Sequence, residues 1–375
     1  MQMISNPGYD GPRPQLDVQT ARLYSPVSEW TYSHHPSITR FRGRYYAIWS
    51  NGHLDEDAPE QRVLIASSDD FVAWDEPRPL VEAWQGVHAP VVLTASGFHQ
   101  HDGTLVAYAG VYDYPATCFD GKRLASQQEH VGTGLYALTT QDGETWSAPR
   151  NLDLPCVPNH PPQATASGRL IISGNIAFPY TDDPTGLSGW TMTGIYSREI
   201  ADGLFDDPRG HWIVREAMGW ALSLCEGSWI QTDDGVLHML LRATGPGHAG
   251  HLWLTESRDD GATWSPPEPT PFSDNNTKFH LGRWPDGRYY YVGCPDPEPR
   301  GARRPLVLSL SNDGRVFDQH YQLSDQDYTQ QREGHAKGGL FGYPHTFVDE
   351  GHLHVIVSLR KEAVMVLRLR CDQVQ

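Results

Sequence analysis

Ser257-Arg258-Asp259-Asp260-Gly261-Ala262-Thr263-Trp264 is the stretch from which the fold can be read. A strand-like run, His251 to Thr255, leads into it, and a proline-rich exit, Pro266-Pro267-Glu268-Pro269, follows. Each residue type suits a tight strand-to-strand turn. Asp259 can accept backbone N–H groups across the turn, as Asp side chains do in Asx-type turns. Gly261 supplies a positive φ that other residues adopt only at a cost. Trp264 offers a large apolar face to wedge between neighbouring strands. One copy implies only a β-hairpin; the weight lies in the repetition.

Thr139-Thr140-Gln141-Asp142-Gly143-Glu144-Thr145-Trp146 keeps the Gly, Thr and Trp and carries Gln at the Asp position. Ser67-Ser68-Asp69-Asp70-Phe71-Val72-Ala73-Trp74 keeps Ser, Asp and Trp and loses the Gly. Ser311-Asn312-Asp313-Gly314-Arg315-Val316-Phe317 has Phe for Trp. A second unit recurs upstream of these: a turn ending in Gly43, Gly103, Gly168, Gly235, Gly287 or Gly351, followed by an apolar strand. Repeats with a period of tens of residues fix an architecture before any local signal does. Six self-similar meanders, each of roughly four antiparallel strands, predict an all-β, six-bladed propeller. A seventh blade has room in the long gap between the first two turn motifs. The chain reads as one propeller domain over residues 1–375, with residues 1–30 an N-terminal extension that closes a blade.

The 375 residues include 12 Trp, 17 Tyr and 11 Phe, ample for a large core, and no long window carries helical periodicity. A net charge of −17 argues against nucleic acid or an anionic membrane as partner. It leaves an acidic substrate open, because the local field in a pocket decides that. Cys118, Cys156, Cys225, Cys294 and Cys371 are odd in number and lack any CxxC spacing, so they read as isolated, mostly buried thiols. Residues 1–14 show no apolar leader and no window has the length of a membrane span. The expected location is the cytoplasm, or outside the cell if a leader was removed. No cofactor or metal is expected, and the oligomeric state stays open.

The first strand of each propeller blade runs along the central channel, with its leading residues facing a pocket at one end. Aligning the six units on their glycines picks out His34-His35, His88, Asn159-His160, Glu226, Lys278 with His280, and Tyr343 with His345. The matching ends of the second strands carry Ser50-Asn51, Gly110, Asn175, Arg242, Cys294 and Ser358, with Arg360 two residues on. Each residue singly is explained as well by a hydrogen-bonded strand end. Ionisable groups at nearly every such position are not expected by chance. Three long inter-blade connections, residues 112–131, 178–189 and 325–342, are candidates for lining the pocket, plain solvated loop being the bland alternative.

The turn motif matches the Asp-box, or bacterial neuraminidase repeat. With the six-unit layout, essentially the whole chain resembles the sialidase superfamily of propellers. That resemblance implies a Tyr nucleophile assisted by a Glu, an Asp acid/base on a loop after the first blade's second strand, and three Arg residues clamping a sugar carboxylate. Tyr343 stands at the position of the Tyr, Glu226 at that of the Glu, and Arg242 at that of one Arg. The loop Asn51-Gly52-His53-Leu54-Asp55-Glu56-Asp57 offers the acid, Asp55 first. Blade one departs from the pattern: His34-His35-Pro36 stands where Arg-Ile-Pro is implied, and blade five has Cys294 where a third Arg would be. Imidazole does not reproduce a bidentate Arg–carboxylate fork. More narrowly, Ser33 to Ser37, Trp49 to Gly52 and Asp55 to Pro59, with His88, are similar to propellers that release terminal L-rhamnose from glucuronate in plant-type acidic glycans. Some of those are hydrolases relying on a His; others are lyases.

The chemistry of the residues can be weighed separately. Tyr343 with Glu226 supplies a base-activated nucleophile, and Asp55, Asp57, His34 or His35 a proton donor. An elimination would instead use His88 or Tyr343 as base, with Arg242, Arg360 and Asn175 neutralising a carboxylate. Asn51, Asn159, His160, Lys278, His280 and His345 complete the expected substrate-binding set. The expectation is an enzyme that removes a terminal sugar from an acidic, uronate-bearing oligo- or polysaccharide. L-rhamnosyl-α-1,4-glucuronate is the candidate linkage, with hydrolysis slightly favoured over β-elimination. An exo-α-sialidase and a non-catalytic glycan-binding propeller are the alternatives. His99-Gln100-His101, His238, His352 and His354 read as turn or strand-packing residues, and no Walker, dinucleotide or GxSxG motif occurs.

Overall fold

The computed structural model describes residues 3–87, 89–121, 123–124, 132–195, 224–245 and 250–374. They form six blades of antiparallel strands around a central channel. Blade one is Tyr32–Phe41, Arg44–Gly52, Arg62–Ser68 and Arg78–Val81. Blade two is Val92–His101, Thr104–Asp113, Gly132–Thr140 and Arg150–Asn151. Blade three shows three strands among the described residues: His160–Ala164, Leu170–Ser173 and Tyr180–Thr181. Blade four is Leu224–Gln231, Leu237–Ala243, His251–Ser257 and Glu268–Ser273; blade five is His280–Arg283, Tyr289–Gly293, Leu306–Ser311 and Phe317–Ser324. Blade six takes Phe341–Asp349, His352–Leu359 and Ala363–Arg370 from the C-terminal end and its outer strand, Gln19–Tyr24, from the N-terminal end. No seventh sheet of this kind occurs among the described residues, and none of their helices is long and apolar enough to cross a membrane.

The ring is held by apolar clusters between neighbouring blades. Ile38 and Trp49 of blade one pack with Ile356 and Val366 of blade six, and Ile48 and Ile65 pack with Leu93 and Ala107 of blade two. Blades two to four share a cluster around Ile171, Trp229 and Met239. All six turn glycines predicted from the sequence adopt a positive φ, between 70° and 96°.

The Asp-boxes share one hydrogen-bond pattern, and it corrects two alignments. In the full copy, Ser257 Oγ accepts the Gly261 N–H (2.8 Å), while Asp259 accepts the Thr263 N–H (2.8 Å). In the second copy the same work falls to Thr140 and Asp142, not to Thr139 and Gln141. In the first copy Ser68 and Asp70 act, and Phe71 occupies the glycine position at φ 73°. The degenerate copies are one residue tighter between the hydroxyl and the glycine position, so anchoring on Trp and Gly alone misplaces the acid.

The feature that builds the site is a β-bulge. The pairing of first and second strands shifts at His34/Ser37, Ala95/Gly97, His160/Gln163, Leu224/Gly227 and Gly342/His345. A bulge leaves a residue unpaired and re-aims its side chain. His35 and Tyr343 sit in two of these bulges at φ 52° and 55°, each followed by a proline with no N–H to contribute to the ladder.

Candidate active site

A cavity of about 230 Å³ opens at the leading ends of the inner strands. His35, Glu56, Asp57, Asn159, Asn175, Glu226, Arg242 and Tyr343 line it, with Tyr112 and Tyr114 on one wall. Tyr343 Oη donates to Glu226 Oε1, and Arg242 Nη1 lies 2.8 and 2.9 Å from the two carboxylate oxygens and 3.2 Å from the phenol. Burial opposes ionisation of Glu226, but the Arg242 charge and the Tyr343 hydrogen bond outweigh it and hold the carboxyl below its usual range. Burial, and then Glu226, push the Tyr343 phenol well up, so the pair is a neutral phenol against a carboxylate that can take its proton. Asn159 Nδ2 donates to Asn175 Oδ1 (3.1 Å), which fixes both amides at the rim.

The other wall is acidic and cationic at once. Lys361 pairs with Glu56, which also lies 3.4 Å from His35 Nε2. Burial disfavours the Glu56 charge, yet Lys361 and the His35 hydrogen bond keep it well below the usual carboxylate range. Its neighbour Asp57 is pushed up to about 7 by burial and then by the Glu56 charge. One carboxylate stays ionised while the next holds a proton near neutrality, a division that suits an acid catalyst. Ala95 N–H donates to Ser50 Oγ (2.9 Å), which lies 3.1 Å from His35 Nδ1, so both His35 nitrogens are engaged.

His34 is wholly buried behind this wall. Ser358 Oγ donates to Gly342 O, so it accepts from His34 Nδ1 (2.7 Å), and the His34 ring packs 4.0 Å from the Tyr343 ring. His34 therefore positions Tyr343 from behind. Asp55 turns away from the cavity and accepts the Ala336 N–H (3.0 Å), clasping residues 334–337; Glu56 and Asp57 face the cavity in its place. Arg360 donates to Tyr328 O (2.8 Å), and its neighbour Lys361 points inward because both occupy a left-handed turn, φ 48° and 52°. Asn51 spends its amide on Tyr32 O (3.0 Å) and Arg62 (3.1 Å), inside blade one. His88 lies outside the described residues. Of the three long connections, the first brings Tyr112 and Tyr114 to the cavity and residues 334–336 of the last meet Asp55. The 178–189 connection instead packs against His99 and Tyr108, at the far end of the blades.

Lys278, His160, His280 and His345 occupy the channel around and beneath Tyr343. Lys278 Nζ lies 5.5 Å from the Tyr343 ring centroid, and burial brings its ammonium down to about 7. The three imidazoles offer nitrogens within 4.8 Å of one another. Backbone N–H groups of Thr346 and Ile38 donate to Nδ1 of His280 (3.0 Å) and His345 (3.3 Å), which places their protons on Nε2. His160 donates Nε2–H to Phe279 O (2.9 Å). Only His160 then retains a ring lone pair, so as hydrogen-bonded the trio is not a metal cage.

Sequence reading missed Arg303, which reaches over the Tyr343 ring (5.8 Å) from the long connection inside blade five, with its Nη1 buried and unpartnered among the described residues. It also missed Lys361 and the role of Glu56. No periodicity or motif marks residues whose placement depends on a loop's path.

These features define the class: a six-bladed Asp-box propeller with an ionisable central cavity. The chain matches the BNR repeat-like domain over residues 43–355 and belongs to that family. A Dyadobacter fermentans protein of unknown function is similar in structure, 16% identical over 94% of this chain and 99% of its own, with a TM-score of 0.64. A sialidase is 18% identical over 98% of this chain and 34% of its own, TM-score 0.65. Trypanosoma rangeli sialidase in complex with sialic acid is 12% identical over 96% of this chain and 60% of its own, TM-score 0.63. At such identities the likeness is one of fold. No curated protein matches the chain.

Proposed function

We propose that the protein is a glycosidase that removes a terminal sugar from an acidic glycan by way of Tyr343. The observation that carries this is the Tyr343–Glu226–Arg242 constellation inside a cavity whose buried charge is positive. Below neutrality Asp57 and buried Asp274, also pushed up to about 7 by burial, are largely protonated. Arg242, Arg303, Lys278 and Lys361 then face only Glu56 and Glu226 among the described residues around the cavity. Buried surplus charge is costly, and an anionic ligand relieves it. A neutral phenol is also a better nucleophile than a carboxylate beside a substrate carboxylate, since no like charges meet.

In this reading Asp57 gives its proton to the departing glycosidic oxygen while Tyr343 attacks the anomeric carbon and passes its own proton to Glu226. Water then cleaves the glycosyl–tyrosine bond, with Asp57 taking the water's proton and Tyr343 recovering its own from Glu226. The small cavity favours exo action. L-rhamnosyl-α-1,4-glucuronate is the linkage placed first, from the blade-one sequence Ser33 to Ser37. β-Elimination is the weaker course, because burial and Glu226 hold Tyr343 as a neutral phenol rather than the phenolate that would take a carbon-bound proton.

The test is incubation with a rhamnosyl-glucuronate glycan and, in parallel, a sialoside, following free sugar and near-ultraviolet absorbance. Free sugar without absorbance, lost in Tyr343→Phe, supports the proposal. Rising absorbance means a lyase, free sialic acid reassigns the substrate, and silence on both favours a binding propeller.

A further inference from the structure

A second and larger cavity, about 490 Å³, lies beside the first on the outer side of blade two. The same two chain segments line both. Tyr112 and Tyr114 face the catalytic cavity while Val111 and Asp113 face the second, as alternation along a strand requires. Residues 153–155 line the second cavity and residues 157–159 the first. The two openings are thus separated by little more than the thickness of a strand, at the same end of the propeller.

Its chemistry differs from that of its neighbour. Trp84 and Tyr136 stand with ring centroids 5.0 Å apart, tilted by 56°, and form an aromatic corner. Asp113 and Asp153 are the charged groups of its wall among the described residues, with no Lys or Arg among the described lining residues. Two oxygens there are buried and unpartnered among the described residues: Asp113 Oδ1 and Thr133 Oγ1. They sit on adjacent strands, where Thr133 pairs with Tyr112 and Gly132 with Asp113. The other Asp113 oxygen accepts the Val87 N–H (3.0 Å) and pins the turn that carries Trp84. Gly86 permits this approach, since a Cβ there would fall 2.5 Å from Asp113 Oδ1. A buried carboxylate oxygen or hydroxyl without a partner is costly, because it has given up water for nothing. A ligand rich in hydroxyls would satisfy both.

We propose that this cavity is an accessory subsite for a neutral pyranose unit, its apolar face on Trp84 and Tyr136 and its hydroxyls on Asp113 and Thr133. The carboxylates repel an acidic sugar, so the subsite takes a neutral unit of the glycan whose acidic part is held next door. The inference rests on the proposed glycan activity for its biological substrate, while the binding is tested without turnover.

Saturation-transfer NMR with a panel of neutral methyl hexopyranosides on the full chain is the direct measurement. At least one should receive saturation from the native protein, and the signal should fall about tenfold in Trp84→Ala and in the near-isosteric Thr133→Val. Unchanged thermal unfolding of Thr133→Val separates lost binding from lost fold. No transfer to any methyl hexopyranoside, or transfer that survives both substitutions, overturns the subsite. If the enzyme also turns over glycans, both variants should raise KM for a tetrasaccharide and leave kcat and the KM of an aryl glycoside unchanged. An equal rise for both substrates overturns it as well.

Discussion

Replacing Glu56 by Gln isolates the device that keeps Asp57 protonated. Asp57 stands at about 7 because of burial first and the adjacent Glu56 charge second. A like charge within about 5 Å, at an effective dielectric of about 20, contributes about 3 kcal/mol, or about 2 pKa units as an upper limit. The substitution also frees the Lys361 ammonium, whose charge lowers Asp57 further. Both effects have the same sign. Burial remains, so Asp57 should settle between about 5 and 6 rather than return to its ordinary value. If Asp57 must be protonated to act, the alkaline limb of kcat/KM, near pH 7 in the native enzyme, should move down by about 1–2 units. An aryl glycoside of the substrate found, assayed from about pH 4 to 9, gives the profile, and Asp57→Asn should abolish the limb. A limb that stays put, or moves upward, refutes Asp57 as the acid whatever the overall rate does.

Three further outcomes concern stability. His160, His280 and His345 are held below their ordinary value chiefly by burial, His280 down to about 3. The folded state stays neutral where the unfolded chain takes up protons. Stability should therefore be full above about pH 6.5 and fall below it by up to about 1.4 kcal/mol per unit per histidine; thermal melts from about pH 7 to 4 should show this, with a flatter slope in His280→Asn. Lys337 and Glu362 form a wholly buried pair 3.2 Å apart, and Glu362 also accepts the Gln331 and Arg332 N–H groups. Lys337→Met should cost about 3 kcal/mol in denaturant unfolding, because it strands a buried carboxylate. Gly261→Ala should cost about 2–4 kcal/mol, since a Cβ at φ 83° would meet Ile171 Cδ1 at 2.5 Å, whereas Gly43→Ala, at φ 82° with open space around it, should cost about 1–2. Equal losses at the two glycines would show that the Gly261–Ile171 contact carries no weight.

The fold was legible because its signals are local and repeated. Each turn glycine and each Asp-box announces itself within eight residues, and six copies leave little choice of architecture. The site was legible only as far as the inner strands reach. Tyr343, Glu226, Arg242 and His35 converge because the blade geometry fixes where a strand's leading residues point. That Asp55 would face away from the cavity was hidden for the same physical reason that Arg303 was invisible. In Asp55-Glu56-Asp57 three acids follow one another, and only the loop's path decides that the first caps residue 336, the second pairs with Lys361 and the third lines the cavity.

The bulges join the two halves of the argument. A regular strand would alternate His34 and His35 between opposite faces, and likewise Gly342 and Tyr343. The register shifts let His34 sit behind Tyr343 while His35 faces the cavity, and let a small Gly342 admit both the His34 ring and Ser358, where a Cβ would fall 2.5 Å from the Ser358 hydroxyl. Non-glycine residues held at positive φ cost of order 1–3 kcal/mol each and persist only where the surroundings over-determine them. His35 and Tyr343 carry this strain in equivalent bulges of adjacent blades, one on Glu56 and the other on Glu226, which places the cost at the wall of the cavity. That strain is not required to make the bulge, since blade two makes the same shift at Ala95/Gly97 with a glycine at φ 94°. What the two side chains add over a glycine is therefore their contacts, His35 with Glu56 and Tyr343 with Glu226.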